Sequence, residues 1–205
     1  MRVGQDRVPV HIGRQIIQQL VLQFGVPAFE RWEFDMGEEE FSQLGRQIRR
    51  GRAHDVTPVI LRGDELAVVR KHHYPPNAYR APSGDVHPEE SFLDGAERQA
   101  WEETGLRVRI EKYLLQVHVA FSRGNDVANW TTHVMRARPL SGRIAPVDAS
   151  EFAAVRWISW DELLKEVNPV LHKTGLGGLR YRARLHERVY ELLTASADPG
   201  DAVTG

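Results

Sequence analysis

Residues 97–105, ERQAWEETG, place two carboxylates and an amide where an α-helix would align them. At 3.6 residues per turn, Gln99, Glu102 and Glu103 stand at i, i+3 and i+4 and share one face. Acidic groups gathered on one face repel each other unless a cation sits among them. Arg98 lies one turn before Glu102, close enough to pair with it and fix its direction. Leu93, Ala96 and Ala100 form an adjoining stripe whose small residues let the helix approach a sheet closely. Thr104-Gly105 supplies the exit, because glycine favours the left-handed conformation that ends a helix. Upstream, Pro82-Ser83-Gly84 reads as a turn whose carbonyls face the same carboxylates. Such oxygens are hard donors suited to Mg²⁺ or Mn²⁺, and through the metal to phosphates.

A helix with that stripe needs a sheet, and the flanking sequence provides one. DVTPVILRGDELAVVRKHH reads as two strands around the Gly63-Asp64 turn. LRVRIEKYLLQVHVAFS, WTTHVMRAR and FAAVRWIS are alternating or rich in β-branched and aromatic residues. SWDELLKEV opens on a Ser159 or Asp161 cap and reads as a helix. Leu179, Tyr181, Leu185, Val189, Leu192 and Leu193 mark a last amphipathic helix. At the other end, Ile12, Ile16, Ile17, Leu20, Val21 and Phe24 recur at helical spacing, with Pro27 ending that element. Phe41, Leu44 and Ile48 mark a second short helix. Strands interleaved with helices define an α/β class. Residues 1–52 are predicted as a helical extension, 53–194 as the main domain with its C-terminal helix, and 195–205 as a small, polar, disordered tail.

Composition narrows the partners. The formal net charge of −1 over 205 residues points to neither nucleic acid nor an anionic membrane. There are no cysteines, which excludes disulfides, thiolate zinc sites and a cysteine nucleophile. No apolar run approaches a membrane span, and the first residues lack the core of a signal peptide, so a cytoplasmic location is expected.

The wider stretch carries a recognisable pattern. It resembles the box of the Nudix hydrolases, G-x5-E-x7-R-E-U-x-E-E-x-G-U, where U is a bulky apolar residue. Gly84, Glu90, Arg98, Glu102, Glu103, Gly105 and Leu106 all fall in register. Ala100 is a small version of the apolar position, and Gln99 stands where the pattern has glutamate. The resemblance implies an α/β/α sandwich around a mixed sheet, with helical additions at both ends. It also implies a divalent-metal-dependent pyrophosphohydrolase, using Mg²⁺ or Mn²⁺, that cleaves a nucleoside diphosphate linked to another moiety. A nucleotide sugar such as ADP-ribose, or a nucleoside triphosphate, fits that description.

Carried over residue by residue, the resemblance makes Glu103 and Glu102 metal ligands. The carbonyl of Ser83 or Gly84 completes the shell, and Gln99 occupies a further ligand position. Glu90, Gly84 and Gly105 are structural in the box, while Arg98 pairs with Glu102. A further acidic group is expected from the loop before the last strand, where Glu151 is preferred to Asp148. Gln99 keeps an oxygen donor but has no charge and cannot serve as a base. A domain that binds nucleotide or metal with little turnover is therefore the alternative reading. Arg70, Arg80 and Arg123 are candidate phosphate contacts, and each also reads as ordinary surface charge. Trp130, Tyr74 and Phe121 offer stacking surfaces for a base, or serve as core. The apolar stripe of the N-terminal segment is expected to pack on the core or on a second subunit, making a homodimer possible.

Overall fold

The computed structural model describes residues 12–195. Most of the tail expected to be disordered lies outside these residues. Six strands form one sheet in the order β1-β4-β5-β2-β3-β6. They are β1 (Ala28–Asp35), β2 (His54–Arg62), β3 (Glu65–Lys71), β4 (Leu106–Arg123), β5 (Asp126–Gly142) and β6 (Phe152–Ser159). The sheet is mixed: β1 runs parallel to β4 and β2 parallel to β5, whereas the other neighbours are antiparallel.

Alternation along the central strands sends side chains to two faces, and each face acquires helices. On one side, α1 (Arg14–Phe24) and α3 (Phe92–Thr104) pack on Val56, Ile60, Tyr113 and Met135. Ala96 and Ala100 are fully buried there, so the small-residue stripe does bring α3 close to the sheet. On the other side, α2 (Glu38–Arg49) and α6 (Gly177–Ala195) cover Val59, Val117, Val119 and Val134. The result is the α/β/α sandwich expected from the sequence. A third apolar cluster joins β3 and β6 to a helical stretch made of α4 (Trp160–Glu162), a π-helical turn (Leu163–Val167) and α5 (Asn168–Lys173). Ser159, not Asp161, caps that stretch, accepting from the Glu162 N–H at 3.2 Å. No helix among the described residues is long and apolar enough to cross a membrane.

One expectation fails. Residues 1–52 are not wholly helical, because β1 lies within them and pairs with β4 over eight residues. Its inward face carries Ala28, Glu30, Trp32 and Phe34. The buried side of this strand thus includes a carboxylate, which spoils a simple apolar alternation. Glu30 is held by Arg188 from α6 and by the Trp32 indole N–H at 2.7 Å. The predicted packing of the N-terminal segment is seen within the chain itself. Ile12 and Leu20 are buried, and Ile16, Ile17, Val21 and Phe24 pack beside them.

Candidate active site

Helix α3 is framed at both ends as the sequence requires. Ser91 accepts from the Asp94 N–H at 3.1 Å, and Gly105 leaves the helix at φ 73°. A Cβ at Gly105 would fall 2.6 Å from two backbone carbonyl oxygens, so the exit admits only glycine. The loop of residues 80–84 runs alongside β2 and β3, and Ser83 within it meets Glu103 of α3. It is tied to β2 and β3 by backbone pairs between Gly84 and Val56 and between Arg80 and Val69.

The box side chains meet here. Arg98 grips Glu90 with two N–H groups at 2.6 and 3.0 Å, donates to the Asp85 carbonyl at 3.0 Å, and reaches Glu102 Oε2 at 2.9 Å. Glu90 also accepts from the His87 N–H at 2.7 Å, so its part is to brace the loop. Arg98 beside it, together with the other contacts, holds its carboxyl below the usual carboxylate range. Gln99 is buried and donates from Nε2 to the Asp85 carbonyl at 3.3 Å. A Cβ at Gly84 would lie 2.1 Å from the Gln99 amide group, so a side chain there would have to displace Gln99.

Glu103 is only 5% exposed. Its Oε2 accepts from Arg80 Nη1 at 3.3 Å and from the Ser83 N–H at 3.2 Å. Burial pushes the Glu103 carboxyl up, while Arg80, Lys71 and the Ser83 N–H pull the other way. The turn at Ser83 therefore offers Glu103 an N–H. Arg80 is no surface charge: it is buried, and Nη1 also donates to the Ala81 carbonyl and Ser83 Oγ. It holds Glu103 in place, which leaves it poorly suited to a loose phosphate contact.

These groups line a cavity of about 790 Å³. Glu151 reaches it from the turn before β6, paired with Lys71. Arg70 and Arg123 are absent from its walls. Arg70 lies over the Tyr79 ring, and Arg123 pairs with Glu38 at 3.0 Å. Several lining residues, Arg52, Asp55, Asp85 and Arg182 among them, were not singled out by the sequence. Arg52 pairs with Asp85 at 2.9 Å, and Arg182 from α6 pairs with Asp55 on β2 at 2.9 Å. Asp55 also accepts from the Trp130 indole at 3.1 Å and from Thr132. The cations on the wall, Arg52, Lys71, Arg80, Arg98 and Arg182, are each matched to an acid.

The fit to a divalent cation follows from this donor set. Among the described residues, no group of three or more His, Asp or Glu side chains is close enough to hold a metal ion. Glu102, Glu103 and the Gln99 amide remain as side-chain donors on one helix face. The contacts described above for both glutamates fall on Oε2. Mg²⁺ commonly takes only one or two carboxylates and completes its shell with water and substrate phosphates. The residues therefore fit a metal that arrives with a phosphate ligand, and do not fit an all-protein cage.

Fold and site together define a three-layer α/β domain with an acidic helix face at the wall of a charge-matched cavity. The family model for the NUDIX domain matches residues 52–174, more than half of the chain, and the protein belongs to that family. A 55-residue segment is 36% identical to NAD-capped RNA hydrolase NudC of Chromobacterium violaceum. That match spans 27% of this chain and 21% of NudC, about a fifth of the relative's length. Among solved structures, a UDP-X diphosphatase superposes with TM-score 0.52 at 16% identity, covering 78% of this chain and 81% of that one. An ADP-ribose pyrophosphatase from Streptococcus suis gives TM-score 0.46 at 19% identity, covering 71% and 92%. The superposition with the UDP-X diphosphatase supports the fold.

Proposed function

We propose that the protein is a divalent-metal-dependent pyrophosphohydrolase acting on a nucleoside diphosphate linked to another moiety. A nucleotide sugar such as ADP-ribose, or a nucleoside triphosphate, is the substrate class. The observation that carries this reading is the shared face of Glu102 and Glu103 beside the Ser83-Gly84 turn, at the wall of a polar cavity of about 790 Å³, ample for a nucleotide's pyrophosphate. The partial match to a hydrolase of NAD-capped RNA, itself a pyrophosphate compound, agrees with it.

Hydrolysis forms a bond from water oxygen to phosphorus, breaks the bridging P–O bond, and sends the water proton to a base. A bound Mg²⁺ or Mn²⁺ would be held by Glu102, Glu103, the Gln99 amide and the Ser83 or Gly84 carbonyl, and would supply charge neutralisation and water activation. Arg98 aims Glu102, and Arg80 aims Glu103. Glu151, on the cavity wall and paired with Lys71, is the group to which this reading gives the water proton.

A second reading is favoured by one observation, the neutral Gln99 in a site without three clustered acids. It makes the domain a nucleotide or metal binder with little turnover. A panel of nucleoside diphosphate derivatives, assayed with Mg²⁺ and with Mn²⁺, separates the two. Metal-dependent release of a nucleoside monophosphate, lost in Glu103→Gln, supports the hydrolase. Binding without turnover across the panel rejects it. A homodimer and a cytoplasmic location complete the proposal. Sedimentation tests the first, and a monomer rejects it.

A further inference from the structure

Strand β1 ends the sheet: among the described residues it pairs with β4 on one side and with no strand on the other. Met36, just after it, donates its N–H to the Ser122 carbonyl at 2.9 Å. Along a strand, alternate residues turn their N–H and C=O groups to the same neighbour. Glu30, Trp32 and Phe34 therefore bond to β4, whereas Phe29, Arg31 and Glu33 direct their backbone groups to the open side. Asp35, the next of that set, already gives its carbonyl to Arg180 of α6 at 2.8 Å. The free stretch is short and carries no bulge or shift in its register with β4.

We propose that this edge joins a second copy of the chain, antiparallel across a two-fold axis at Trp32, so that one sheet runs through both protomers. The assignment gives the homodimer proposed above its surface, and rests on that part of the reading alone. Charge selects the occupant. Arg31 and Glu33 stand two residues apart on the exposed face of β1. Arg31 rests on the Phe29 ring at 5.0 Å, and among the described residues neither it nor Glu33 has an ion-pair partner.

About an axis at Trp32, Arg31 of each protomer lies opposite Glu33 of the other. Each such pair also exchanges both of its outward backbone hydrogen bonds. Opposite charges at facing positions stabilise a strand pair, and like charges destabilise it. Moving the axis one residue either way sets Arg31 against Arg31, or Glu33 against Glu33. An edge of one sign repels its own copy at every register. This edge repels at the neighbouring registers and attracts at Trp32. Phe29, 48% exposed beside Arg31, gives the contact an apolar part. The two-fold is closed, because each protomer spends its β1 edge on the other and association stops at two.

Sedimentation equilibrium of the full chain tests the assignment by reading the dimer dissociation constant. None of residues 28–35 lines the box cavity, so changes on the exposed face of β1 leave the proposed chemistry in place. Arg31→Glu and Glu33→Arg should each raise the constant by about tenfold or more, since each sets like charges opposite in both symmetry-related pairs. The double swap Arg31→Glu/Glu33→Arg should return it to within about threefold of the wild type. A second measurement reads the register, because the chain has no cysteine of its own. Facing residues of a hydrogen-bonded pair stand about 5.5 Å apart at Cα, within reach of a disulfide. Arg31→Cys mixed with Glu33→Cys should form the mixed disulfide in preference to either self-linked dimer. Preferential self-linking would overturn the axis at Trp32. A dimer indifferent to the single swaps, or one that the double swap fails to restore, overturns the surface and leaves a homodimer of another kind. A monomer at every concentration overturns both surface and homodimer, and neither result bears on hydrolysis.

Discussion

Arg80 donates to Glu103 across 3.3 Å with both side chains almost fully buried. The pair connects the loop ahead of the box to the helix that carries it. Removing the arginine leaves a carboxylate in a poorly solvated place. Arg80→Met is expected to cost about 3–5 kcal/mol at neutral pH, by urea denaturation. The Glu103 carboxyl, already pushed up by burial, will rise further without Arg80. A raised folded-state pKa favours folding below the unfolded value and loses that advantage as pH rises through the folded value. The deficit of Arg80→Met should therefore shrink as pH falls. An equal deficit at pH 7 and pH 4 would show that the pair is not electrostatic.

Gln99→Glu is expected to raise turnover and tighten Mg²⁺. The amide now donates to the Asp85 carbonyl, whereas a carboxylate there would face it oxygen to oxygen. In chelator the variant should lose about 1–3 kcal/mol, measured by denaturation. Mg²⁺ should restore much of that by binding linkage. Unchanged turnover together with unchanged metal response would remove Gln99 from the working site.

Gly84→Ala should displace Gln99, because its Cβ would stand 2.1 Å from the amide. The expected cost is about 1–3 kcal/mol. Adding Gln99→Ala should recover most of it, so the two changes are strongly non-additive in a double-mutant cycle. Simple additivity would mean that the loop is constrained by something other than this contact.

His133 and His186 are both buried and neutral, with burial pushing each down to about 3 from an ordinary 6.5. His133 lies between Tyr113 Oη at 2.5 Å and His54 at 3.0 Å. His186 accepts from the Ala81 N–H at 3.2 Å and donates from Nδ1 to Asn168 at 2.8 Å. A depressed folded-state pKa contributes stability above the unfolded value that is lost as pH falls towards the folded one. Between about pH 6 and pH 4, each should add a slope of about 1.4 kcal/mol per pH unit. His186→Gln should remove one such slope from urea-derived stabilities, and an unaltered slope would show that this histidine is charged in the fold.

The box and its helix were readable because they are local: Gln99, Glu102 and Glu103 share a face through helix geometry alone. The strands around Gly63-Asp64 were legible from their turn, and the long pair β4 and β5 from alternation and from β-branched and aromatic residues. What could not be read was set by distance in sequence. Asp55 meets Arg182 from 127 residues away, and Glu103 meets an arginine that looked like any other charge ahead of the box. Arg70, two residues from the buried Val68, points over a tyrosine ring, away from the cavity. Strand β1 hid because its inward face includes Glu30, whose partner Arg188 lies near the other end of the chain. Its alternation of Trp32 and Phe34 was the signal available.

That strand has a consequence for where the molecule can be cut. β1 covers residues Leu115–Ser122 of β4. Without β1, this eight-residue stretch, LQVHVAFS, would present a row of unpaired backbone N–H and C=O groups to any other chain. A polypeptide trimmed to the matched residues 52–174 would keep the box and expose this edge, besides losing the α6 that covers the opposite face. The boundary of kinship and the boundary of cooperative folding are therefore different lines. The segment that precedes the family domain acts as its built-in aggregation guard.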